Sequence, residues 1–155
     1  MADILLYWRD YKKNWVNECN SKYPYYWHTN TKKMLELHAG DKLWLVTCGR
    51  NVGSEVVQAG FLVGVWQVKD VMSNPSDDSA YPRSDYKYRI VAEPTASIMF
   101  EEPIAVDHIL RPSGRDKAVS IGRFLQGPRK LREEKVRQLR EVAGPKMALS
   151  YLNGR

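Results

Sequence analysis

With 155 residues the chain has room for one domain with a real core, and 43% hydrophobic against 27% charged residues argues against both a disordered and a fibrous polymer. A net charge of +6 favours an acidic partner, nucleic acid before a membrane surface, because no basic amphipathic helix with a bulky apolar face is visible. No run approaches the roughly 18 apolar residues of a membrane span. The opening Met1-Ala2-Asp3-Ile4-Leu5-Leu6-Tyr7-Trp8-Arg9 lacks the basic lead and long apolar run of a secretory signal, so a cytoplasmic or nuclear protein with no membrane partner is expected.

In chain order, Ile4 to Trp8 reads as a short strand, and Asp10 can cap a helix from Tyr11 to Cys19 that puts Tyr11, Trp15 and Cys19 on one face. The cluster Tyr23-Pro24-Tyr25-Tyr26-Trp27-His28-Thr29-Asn30 follows as a turn-rich segment, and Thr31 opens a helical turn through Leu37 that Gly40 stops. Lys42 to Cys48 and Phe61 to Val68 are apolar on both alternating faces, as strands buried on each side must be, with a glycine-bearing hairpin loop over 49–54 between them. Residues 73–85 turn polar and form a loop whose one aromatic is Tyr81. Beyond it come a strand over Tyr86 to Val91, an edge segment at Pro103 to Val106, and a helix from Arg132 to Ala143 stopped by Gly144-Pro145.

Consecutive short strands, with helices inserted after the first strand and at the end, give an α+β domain built on a small barrel, undivided over 1–155 with its core in 3–143. Cys19 and Cys48 sit in apolar contexts without metal-type spacing, and His28, His38 and His108 are scattered. Reduced buried thiols, no metal and no cofactor are therefore expected.

The order Trp27-His28-Thr29-Asn30, a helical turn, Lys42-Leu43-Trp44-Leu45-Val46-Thr47, a glycine-bearing loop and Gly60-Phe61-Leu62-Val63-Gly64-Val65 resembles the PUA-like superfamily, specifically its EVE and YTH domains. Phe100 to Leu110 and Ile121 to Leu131 resemble the downstream part of EVE domains. The resemblance implies a reader of a modified, notably methylated, base in DNA or RNA, taken flipped or single-stranded into an aromatic pocket. A nuclease module elsewhere in a parent protein or complex is a further implied partner.

The residues agree in kind. Aromatic rings stack on bases at roughly 1–3 kcal/mol each, and a buried methyl adds about 0.8 kcal/mol. Trp27 and Tyr81 fall at the two places the resemblance gives to the cage, with core packing as the alternative for either ring. Asp10, Thr29 and Asn30 are candidates for the base edge, Asp10 also being a plain helix cap, and Thr47 is a candidate for the pocket floor. Trp8, Trp15, Trp44 and Trp66 read as core. Arg115, Arg123, Arg129 and Lys130 are the candidate phosphate contacts, and Arg123 stands where the resemblance places a phosphate-binding arginine.

No nucleophile elbow, Walker loop, Rossmann fingerprint or zinc-deaminase signature is present, so a non-catalytic binder is expected. A metal-independent ribonuclease of the PUA-like ASCH type, working through groups such as Lys42, Tyr88 or Arg123, is the enzymatic alternative. A protein-interaction module is the third, favoured if Trp27 were buried.

Overall fold

Strict alternation of large apolar side chains organises the centre of the molecule. In the computed structural model, which describes residues 1–17, 25–75, 85–114 and 119–152 with side chains to Met147, Leu5, Trp44 and Val46 enter one core cluster. Their neighbours Leu6, Leu43 and Leu45 enter the other. A sheet so apolar on both faces must be covered twice. Helices α1 (Asp107–Leu110), α2 (Ile121–Phe124) and α3 (Glu133–Leu152) supply side chains to the first cluster. Trp8, Tyr11, Met34 and the half-buried Trp15, Tyr25 and Trp27 supply the second.

The strands are β1 (Asp3–Tyr7), β2 (Tyr26–Thr29), β3 (Lys42–Cys48), β4 (Gly60–Ser73), β5 (Tyr88–Ala92), β6 (Ile98–Ala105) and β7 (Arg129–Lys130). They form one mixed sheet in the order β2-β5-β4-β3-β1-β7, with β6 also on β4. The α+β class expected from the sequence is therefore present. The closed barrel is not, because β2 and β7 end the order without a ladder joining them. What links β2 to the end of β1 is ring contact: Trp8, just after β1, meets Trp27 of β2 edge-on at 5.7 Å. Aromatic volume fills the seam that backbone pairing would close.

Four further expectations change. The aromatic segment expected as a turn contains a strand, since Tyr26 to Thr29 pair antiparallel with β5 in the register Trp27↔Ile90 and His28↔Arg89 and aromatic and β-branched residues suit a pleated, half-buried surface. The second buried strand runs to Ser73, bent by register shifts at Leu62/Gly64 and Val68/Asp70, so that it carries β6 along its first half and β5 along its second. The expected helix after Asp10 is a π-helical turn over Lys12–Asn17, and Cys19 lies outside the described residues. Finally, α3 passes through Gly144 and Pro145: a side chain at Gly144 would meet nothing, and Val142, Ala143 and Met147 keep the apolar face against the core beyond the expected stop.

β1 and β3 are parallel neighbours, so their carboxyl ends, and the loops that leave them, lie at the same side of the sheet. Helical turns at Lys32–Glu36, Gly49–Val52 and Pro94–Ala96 complete the connections.

Candidate functional site

The seam between β1 and β2 is also indented by recesses lined with aromatic groups. One recess of about 140 Å³ is lined by Tyr7, Trp8, Arg9, Asp10, Asn14, Tyr26, Trp27, His28 and Tyr86. A second, of about 360 Å³, shares Tyr7, Trp27, His28 and Tyr86 and continues past Thr29 and Asn30 to Gly122 and Leu125 of the α2 region. The two form one cleft. The first part is close to the roughly 150 Å³ of a cavity known to hold benzene, so its scale suits a single flat ring.

Each wall has a local cause. Trp27 is half-buried: it packs edge-on against Trp8 and Trp66, at 5.7 and 6.5 Å, while lining both recesses. Its strand neighbours Tyr26 and His28 meet in a T-shape at 6.2 Å, and His28 tilts toward Tyr86 at 6.1 Å. Behind them Arg89, 4% exposed, places its guanidinium 4.3 Å over the Tyr26 ring and donates from Nε to Nε2 of His28. Tyr7 stands against Gly122 of α2 so closely that a Cβ there would lie 2.6 Å from its ring. Burial first, and then the neighbouring Cys48 thiol, push the Tyr7 phenol above its ordinary value of 10, so it remains a neutral hydroxyl.

The rim is charged. Asp10 and Arg9 pair at 3.3 Å with side chains 43% and 80% exposed, and Asp10 holds the Arg9 guanidinium above its usual value. In water such a pair is weak, so both groups can be redirected by a ligand.

No family model and no curated protein matches this chain. The NMR structure of Rpa0253 from Rhodopseudomonas palustris, a structural genomics target, is similar at a TM-score of 0.52 and 12% identity, covering 93% of this chain and 94% of that one. At that identity the likeness concerns the fold alone.

Of the residues singled out from the sequence, Trp27 and Asp10 line the first recess and Trp27, Thr29 and Asn30 the second. Thr29 and Asn30 also serve the backbone: Thr29 Oγ1 accepts from Thr31 N at 3.0 Å and Asn30 Oδ1 from Lys87 N at 2.9 Å, which fixes the chain beside Tyr86. Thr47 lines neither recess. Its buried hydroxyl donates to the Trp8 carbonyl and accepts from Asn51 Nδ2, both at 2.8 Å, so it holds the wall from behind. Tyr81 and Arg115 lie outside the described residues.

Among the basic candidates, Arg123 is exposed on α2, next to the glycine that touches Tyr7. Arg129 and Lys130 are on β7, opposite Leu5 and Ile4 of β1, and line neither recess, although the second recess runs on through Gln126 and Gly127 to Pro128 just before them. Arg129 is further tied down, donating to the Phe124 carbonyl with its guanidinium 4.7 Å over the Phe124 ring. Sequence reasoning missed Tyr7, Tyr26, His28, Tyr86 and Gly122 as lining groups. The one available signal was the unbroken aromatic run at 25–28, of which Tyr26, Trp27 and His28 line the first recess from β2, the terminal strand of the sheet order.

Proposed function

We propose that the protein binds a nucleic acid strand and reads a modified base, methylated in the simplest case, inserted into the aromatic cleft, without transforming it. The observation that carries this is Trp27, half-buried, held edge-on against Trp8 and Trp66, and lining a recess of single-ring size. Such a ring is pre-organised for stacking, which needs little ordering when the base arrives. Asp10 and Asn14 at the rim supply polar groups for a base edge, and the neutral Tyr7 phenol and His28 line the interior. The resemblance to EVE and YTH domains and the charge of +6 support the same reading.

The test is a titration, at fixed salt, of DNA and RNA oligonucleotides identical but for one modified base, scored for retention and cleavage, against parent and Trp27→Ala proteins. Parent preference of at least several-fold for one modified base is expected, lost in Trp27→Ala at a cost of about 1–3 kcal/mol while weak charge-driven binding survives. Because the ring is only half-buried, the same variant should lose about 2 kcal/mol of stability, short of the 3–5 kcal/mol of a fully buried tryptophan. A folded Trp27→Ala protein that kept full preference would end the proposal, as would cleavage by the parent.

A further inference from the structure

Resting on that reading, we infer that the strand's phosphates run along a rim formed by Arg9, Arg50 and Arg123 at the shared carboxyl end of β1 and β3, and not along the Arg129-Lys130 cluster of β7.

The placement follows from the sheet. Because β1 and β3 are parallel, Arg9 leaves the end of one and Arg50 the end of the other, on the same side. The two loops are bolted together: Asn51 Nδ2 donates to the Arg9 carbonyl at 3.1 Å and to Thr47 Oγ1 at 2.8 Å, and Thr47 in turn donates to the Trp8 carbonyl. Arg50 is itself fixed, its N–H donating to the Val57 carbonyl at 3.1 Å. Arg123 joins from α2, whose first residue donates to the Gln58 carbonyl and whose Gly122 is seated on Tyr7, a residue of both recesses. All three side chains are exposed on anchored backbone.

Arg9 lines the first recess, Arg123 follows the Gly122 that lines the second, and Arg50 sits on the loop bonded to Arg9; cations so placed fit a polyanion running past the inserted base, which is the chemistry of a nucleic acid backbone. The β7 pair is less suited, since Arg129 is engaged with the carbonyl and ring of Phe124 and Lys130 lines other recesses, with Met1 and Ala2, rather than the cleft.

The experiment measures binding of a labelled single-stranded oligonucleotide of about 12 nucleotides, with and without the modified base, across a salt series. Parent, Arg9→Ala, Arg50→Ala, Arg123→Ala, Arg129→Ala and Lys130→Ala are compared, with circular dichroism to confirm folding. Each of the first three substitutions should lower the slope of log K against log salt by about 0.7, and weaken modified and unmodified strands alike, whereas the two β7 substitutions leave it unchanged. Unchanged slopes in Arg9→Ala and Arg50→Ala, or equal losses in the β7 variants, would overturn the rim. Competition by polyglutamate as effective as by an oligonucleotide of equal charge would also overturn it, in favour of an acidic protein partner. Base preference is read separately, from the ratio of modified to unmodified affinity in the parent: a ratio of one defeats the base-reading proposal, while a preserved ratio with unchanged slopes defeats only the rim.

Discussion

Arg89 and His28 face each other across the β2–β5 ladder, and the arginine Nε donates to the imidazole Nε2 at 3.1 Å. A ring nitrogen that accepts carries no proton, so this bond assigns the proton of a neutral His28 to Nδ1. The same guanidinium lies 4.3 Å over Tyr26, so one buried side chain orients two residues of the cleft wall.

Replacing Arg89 by Met keeps length and apolar bulk but removes the donor. A loss of about 1.5–3 kcal/mol of stability by denaturant melting is expected, the usual range for a hydrogen bond to a charged group. Base affinity should fall with no change in salt slope, because the buried guanidinium meets no phosphate; a fall in slope would show that Arg89 contributes as an external charge.

Gly122 and Tyr7 form a contact that tolerates no added carbon, since a Cβ would sit 2.6 Å from the ring and 2.9 Å from the phenol oxygen. Gly122→Ala should destabilise by about 1–3 kcal/mol through overpacking. In the double variant with Tyr7→Leu the losses should be less than additive, since the smaller side chain relieves the clash. Additive losses in thermal melts would place the strain elsewhere.

Asp41 predicts the acid limit of the fold. Burial alone would raise its carboxyl, but N–H groups of His38 and Ala2, both at 2.8 Å, donate to it and bring it below the ordinary 3.8. A carboxyl lowered on folding stabilises the native state above the unfolded value, and that contribution disappears as pH falls from about 3.8 through the lower folded value. Asp41→Asn should lose about 1–2 kcal/mol at neutral pH and show a flatter stability profile below pH 4. An unchanged profile would assign acid unfolding to another group.

How much of this was legible differs by element. Lys42 to Cys48 was plain from alternation, because burial on both faces leaves a continuous apolar run. β2 was hidden by its own composition: four aromatic or near-aromatic residues after a proline suggested a turn, and only the partner strand, some 60 residues on, reveals the ladder. Thr47 shows the limit for sites. Its residue type and position fit a pocket floor, but whether a strand-end hydroxyl faces a ligand or a neighbouring carbonyl depends on the Trp8 backbone, which no local pattern encodes. Likewise, the density of charge at Arg129 and Lys130 is visible locally, whereas the parallel pairing that brings the loops of Arg9 and Arg50 to one side of the sheet joins two distant strands and leaves no local pattern.

The length of β4 sets how the molecule comes apart. Its first half is held by β3 and β6, while β2 and β5 are attached through its last stretch, Val68 to Ser73. The ribbon carrying Trp27, His28 and Arg89 thus hangs from the rest of the sheet by one short ladder, steadied by Ile90 and Ala92 buried in the second core cluster and by the edge-on rings of Trp8 and Trp66. Amides of β2 and β5 will exchange with solvent through a partial opening that leaves β1, β3 and β6 protected, and an occupant of the cleft, by bridging the ribbon and the rest of the sheet, will merge the two exchange regimes into one.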